Sequence, residues 1–119
     1  MQISVKVSPA EREFFIKGEF SVRDEERFFD VFMQIRSMTE RCLVFNLSKC
    51  SFIDSAAMGM LVVACEEAAK RNAVRVIRSA PAAIRDILLS AGYFDSGVQC
   101  IFHVVQKMLF VNLHLFDHL

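Results

Sequence analysis

The chain has 119 residues, 54% of them hydrophobic, and its 14 Lys and Arg balance its 14 Asp and Glu. That length fits one compact domain spanning 1–119, and so large a store of buriable side chains excludes a disordered chain. Zero net charge removes the long-range attraction to phosphate backbones, so no nucleic-acid partner is expected.

Taken in chain order, the pattern alternates between strand and helix periods. Residues 2–8 alternate, with Ile3, Val5 and Val7 on one side, as a half-buried strand does, and Pro9 ends them. A second strand over 14–20, with a kink or turn at Gly18, follows after a link short enough for an antiparallel hairpin. Over 24–38, Phe28, Val31, Phe32 and Ile35 form a helical stripe that Phe29 and Met33 widen. Asp24, Glu25 and Glu26 sit in the first turn, where the helix dipole favours acids. The apolar run 42–47 reads as a strand covered on both faces. A loop over 51–55 leads to the longest helix, with Met58, Leu61, Val62, Cys65 and Ala69 inward and the pairs Glu66–Lys70 and Glu67–Arg71 outward. Residues 74–78 form a strand. Pro81 opens a helix with Ile84, Ile87, Leu88 and Ala91 inward, and Gly92 takes the left-handed position after its end.

A last strand over 98–102 completes a core domain over 2–102. This order specifies a single α/β domain with a mixed, mostly parallel sheet of four to five strands and helices mainly on one face. The remaining segment, 103–119, is strongly apolar; its spacing fits a helix, although Leu113, Leu115 and Phe116 also read as a strand. So greasy a segment is expected either to dock on the sheet or to bury itself in a partner.

Charged residues interrupt every apolar run before it reaches the ~18 residues of a membrane-spanning helix, and Lys6, Glu11, Arg12 and Glu13 break up any leader-like start. No membrane insertion and a cytoplasmic location are therefore expected. Cys42, Cys50, Cys65 and Cys100 are widely spaced in core-like surroundings, as reduced, buried thiols are. His103, His114 and His118 are the only histidines, and no further ligand completes a metal site around them. Arg75 and Arg78 read as solvated cations beside a strand. Phosphate-binding glycine loops and catalytic sets are absent, so neither an enzyme nor a cofactor is expected.

The informative place is Asp54-Ser55, where a loop meets the longest helix. Either side chain can cap that helix by accepting from a first-turn N–H. A phosphate on Ser55 would also be favoured there, since exposed N–H donors and the dipole attract negative charge.

The run 44–61, an apolar strand followed by Phe52-Ile53-Asp54-Ser55-Ala56-Ala57-Met58-Gly59, resembles the central motif of the STAS domain, the family of the bacterial anti-anti-sigma factors. Gly18-Glu19 and the segment from Ala91 to Phe94 also resemble family segments, and the order of elements agrees over 2–102. The resemblance implies that Ser55 is the serine a partner kinase phosphorylates and that Asp54 orients the loop and touches that kinase. It further implies that Ala56, Met58 and Gly59 dock on the partner, with Gly18 and Glu19 on a neighbouring loop of the same face. The implied partners are an anti-sigma factor and serine kinase with a histidine-kinase-like ATPase fold, and a serine phosphatase that resets the switch. Asn46, Ala56, Ala57 and Met58 depart from the motif, which usually carries Asp, Ser, Gly and Leu there. A constitutive scaffold role in a transporter or stress-signalling assembly is the alternative, self-associating through 103–119.

Overall fold

The computed structural model describes residues 1–92 and the strand 99–101. Its elements are β1 (Gln2–Val7), β2 (Glu11–Phe20), a 3-10 turn (Val22–Asp24), α1 (Glu25–Arg36), β3 (Cys42–Ile53), α2 (Ser55–Ala69), β4 (Val74–Arg78), α3 (Ala82–Ser90) and β5 (Gln99–Ile101). They form one five-stranded sheet in the order β1-β2-β3-β4-β5, antiparallel between β1 and β2 and parallel elsewhere. Three crossovers of one hand, each stepping to the next strand, place their helices on one face. A single buried cluster accordingly joins Phe28, Val31 and Ile35 of α1, Leu61 of α2 and Ile84 and Leu88 of α3 to Phe14, Ile16, Phe45 and Ile77 of the sheet. Phe14, Phe28 and Phe45 stack at its centre. The expectation for 103–119, together with Tyr93, Phe94, His103, His114 and His118, lies outside the described residues.

Several expectations are corrected by tertiary context. Val5 and Val7 are exposed on β1, which is an edge strand of the sheet. Gly18, by contrast, sits at the irregularity expected within β2. It adopts a φ of +88° inside the strand, between two irregularities in the pairing with β3, and β3 runs on to Ile53 because β2 supplies a partner along its whole length. Phe52 and Ile53 thus belong to a strand rather than a loop.

The helices also sit differently from their sequence stripes. Asp24 belongs to the 3-10 turn that precedes α1, and Phe29 and Met33 face solvent rather than the core. The buried stripe of α2 is Ala57, Leu61, Ala64, Cys65 and Ala68, leaving Met58, Val62 and Ala69 half-buried. Lys70 pairs with Glu67 at 3.3 Å rather than with Glu66, while Arg71 reaches the same carboxylate at 4.0 Å. On α3, Ile84 and Leu88 are buried but Ile87 and Ala91 are exposed; Gly92 takes the left-handed conformation, with φ of +71°.

The sheet face opposite the described helices is not simply solvated. Arg78 is paired: its guanidinium reaches Glu13 at 3.0 Å and Glu11 at 3.2 Å across the width of β3. Asn46 Nδ2 donates to the same Glu13 oxygen at 3.0 Å, beside a small apolar cluster of Val44, Val76 and Cys42. The register that sets Glu13 opposite Val44 and Asn46 opposite Arg78 creates this network.

Candidate functional site

The site forms where the last pair of β2 and β3 hands the chain to α2. Phe20 and Ile53 are register partners, and the Asp54 N–H donates to the Phe20 carbonyl at 3.3 Å. Asp54 then stays extended (φ −96°, ψ 177°), so that its carboxylate turns back over the helix start. One oxygen accepts from the Ala57 N–H at 2.8 Å, and the other accepts from the Val22 N–H at 3.0 Å. Asp54 is therefore the cap and also a clamp between the start of α2 and the turn before α1. Ser55 becomes the first helical residue, exposed, with its hydroxyl not used for capping.

The turn that Asp54 grips is rigid in its own right. The Ser21 N–H donates to Asp24 Oδ2 at 2.9 Å and the Ser21 hydroxyl accepts from the Arg23 N–H at 3.4 Å, a capping box. The Met1 amino group lies 2.9 Å from Asp24 Oδ1. Burial pushes the Asp24 carboxyl up, but the Ser21 hydrogen bond and the nearby positive charges outweigh it and hold the group below its usual range. The signal for this turn was present in the sequence, since Ser21 and Asp24 have the box spacing, but the acidic run beside it reads first as a helix start.

The expected contact residues divide between two places. Ser55, Ala56 and Gly59 line the outer side of the first turns of α2, with Ala56 half-buried and Ser55 and Gly59 exposed, whereas Met58 packs partly on the core. Gly18 and Glu19 lie at the same edge of the sheet but within β2, opposite Cys50 and Phe52, not on a loop. The loop that does neighbour Ser55 is 21–24. Beyond Gly59, a groove of about 320 Å3 runs between α1 and α2, lined by Glu25, Phe28, Phe29, Phe32, Gly59, Met60 and Val63. Periodicity placed its phenylalanines in the core; Phe28 is there, but the orientation of α1 leaves Phe32 half-buried and Phe29 at the surface.

Among the described residues, no three His, Cys, Asp or Glu converge as a metal-binding group. Burial pushes the Cys50 thiol up, away from reactivity. What remains is a serine hydroxyl at a helix start, a braced carboxylate beside it and an apolar groove along the same helix.

The sequence profile of the STAS domain matches residues 2–108, and the chain belongs to that family. No curated protein sequence matches it. Three solved structures show the same fold. A Thermotoga maritima protein proposed as an anti-sigma factor antagonist superposes with a TM-score of 0.75 at 17% identity, over 89% of this chain and 91% of that one. A sulfate transporter family protein from Wolinella succinogenes gives 0.71 at 18% identity, over 92% of each chain. The anti-sigma factor antagonist SpoIIAA, in its unphosphorylated form, gives 0.69 at 14% identity, over 91% of this chain and 94% of that one. SpoIIAA is also solved in a phosphorylated form. Among the described residues of the present chain, no helix is long and apolar enough to cross a membrane.

Proposed function

We propose that this STAS domain is a cytoplasmic, non-enzymatic binding module of the anti-anti-sigma type, switched off by phosphorylation of Ser55. The observation that carries the reading is the division of labour at the helix start: Asp54 caps α2, and Ser55 stands exposed at its first position. Of the first-turn donors, Ala57 N–H is taken by Asp54, which leaves the N–H groups of Ser55 and Ala56 for a phosphate. Phosphorylation would add about −1.5 to −2 charge beside Asp54 without removing any contact that holds the helix. A partner surface complementary to the neutral site would be repelled.

The partner is an anti-sigma factor that is also a serine kinase, with a histidine-kinase-like ATPase fold. It docks on Asp54, Ala56, Gly59 and the flank carrying Met58, with Gly18 and Glu19 at the edge, and it supplies ATP and Mg²⁺. A serine phosphatase restores the unmodified form. Calorimetric titration of the host's kinase of this fold checks the switch: Ser55→Asp should bind at least tenfold more weakly than wild type, and equal affinity would refute it.

The likeness to a sulfate transporter family protein supports a second reading, a scaffold subunit of a larger assembly without a phospho-switch. In that case Ser55→Asp and Ser55→Ala would both leave assembly unchanged.

A further inference from the structure

The outer face of α1 carries a self-complementary pattern. Glu26, Phe29, Met33 and Arg36 recur at intervals of three and four residues, which places them along one side of the helix. The two apolar members are unusually open, Phe29 being 58% and Met33 43% exposed, and Val63 of α2 continues their patch at 50%. The acid lies near the N-terminal end of the row and the base at the C-terminal end. A second α1 laid antiparallel, with Phe29 meeting Met33, therefore brings Glu26 beside Arg36 at both ends. Parallel alignment would instead set Glu26 against Glu26 and Arg36 against Arg36.

We propose that two copies of this chain associate through α1 in this antiparallel, twofold-symmetric way, each helix lying along the partner's groove between α1 and α2. Arg36 is free to serve such a contact: its side chain is 56% exposed and meets its own Glu67 only at 3.9 Å. Gly59 on the groove's far wall leaves open space, for a Cβ built there would meet nothing within 4 Å, so a foreign helix can approach the backbone of α2. The contact is isologous, as a twofold interface must be, with apolar residues at the centre and charges at the rim. It is small, and the dimer it supports is a reversible one. The proposal does not depend on the Ser55 reading, because its assay involves neither kinase nor phosphate.

Sedimentation equilibrium of the full chain over a concentration series, at low and high salt, tests it. Wild type should show a monomer–dimer equilibrium that weakens with salt, and Phe29→Asp should abolish the dimer while leaving the thermal melt in place, since Phe29 is a surface residue. Glu26→Arg and Arg36→Glu should each raise the dissociation constant roughly tenfold, two rim pairs being lost at once. The double variant Glu26→Arg/Arg36→Glu should restore it, because the pairs re-form with signs exchanged. A monomer throughout the series would overturn the proposal. So would a dimer that Phe29→Asp leaves intact, which would put self-association elsewhere, 103–119 included. A double variant no better than either single would also overturn it.

Discussion

The Asn46 amide bonds in two directions: its Nδ2 donates to Glu13 Oε2 at 3.0 Å, and its Oδ1 accepts from the Ser48 N–H at 3.0 Å. An aspartate, the usual residue of the STAS motif at this place, has no donor for the first bond and would set a second carboxylate against Glu13. The departure from the motif is thus tied to the Glu13–Arg78 pair, which no reading of the motif alone brings into view. Asn46→Asp should lower stability by about 1–3 kcal/mol in urea unfolding at neutral pH, through a lost donor and a buried like-charge contact. Adding Glu13→Gln should recover part of the loss, and purely additive losses would contradict the contact. Ser55 shows the reverse case. The sequence left open whether it or Asp54 capped α2, and geometry decided, because Asp54 alone reaches both Ala57 and Val22.

At the level of elements, α2 carries a residue that weakens it. Gly59 lies in the helix interior and faces solvent, where glycine costs roughly 0.5–1 kcal/mol relative to alanine. Nothing crowds the position, so Gly59→Ala should raise the unfolding free energy measured in urea by that amount while reducing partner binding or self-association at the groove. A variant of unchanged stability would mean that the helix needs its glycine for its own geometry. Elsewhere, β2 is tied to the segment after α1 by Arg12, whose Nε donates to Glu40 Oε1 at 2.7 Å. That bond holds the Glu40 carboxyl below its ordinary value of 4.5, as the contacts of Asp24 hold it below 3.8. The unfolded chain takes up these protons at higher pH than the folded one. The stability they confer is therefore complete above pH ~4.5 and lost as pH falls through the folded values. Arg12→Met should flatten the acid limb of a stability-against-pH curve; an unchanged limb would remove Glu40 from the account of acid unfolding.

Over the whole molecule, the order of strands and helices was legible because each has its own period and its own stop signals: Pro9, Pro81 and Gly92. The face each helix turns to the sheet was not. Phe29 and Met33 extend an apolar stripe that looks like core until α2 and the sheet fix the roll of α1. The Arg78 network was hidden for a similar reason, since its members come from β2, β3 and β4 and meet only through register. The site lay between these cases. Its motif named Asp54 and Ser55, but the clamp to Val22 and the groove beyond Gly59 depend on two crossovers that start from the same edge of the sheet. The most direct test of the switch is site-mapped mass spectrometry of the chain after incubation with ATP and an extract of its host. One phosphate at Ser55, absent from Ser55→Ala, is the predicted result. No phosphate at Ser55 under any condition, with Ser55→Ala fully functional in the host, would contradict it and leave Ser55 as the opening residue of a helix.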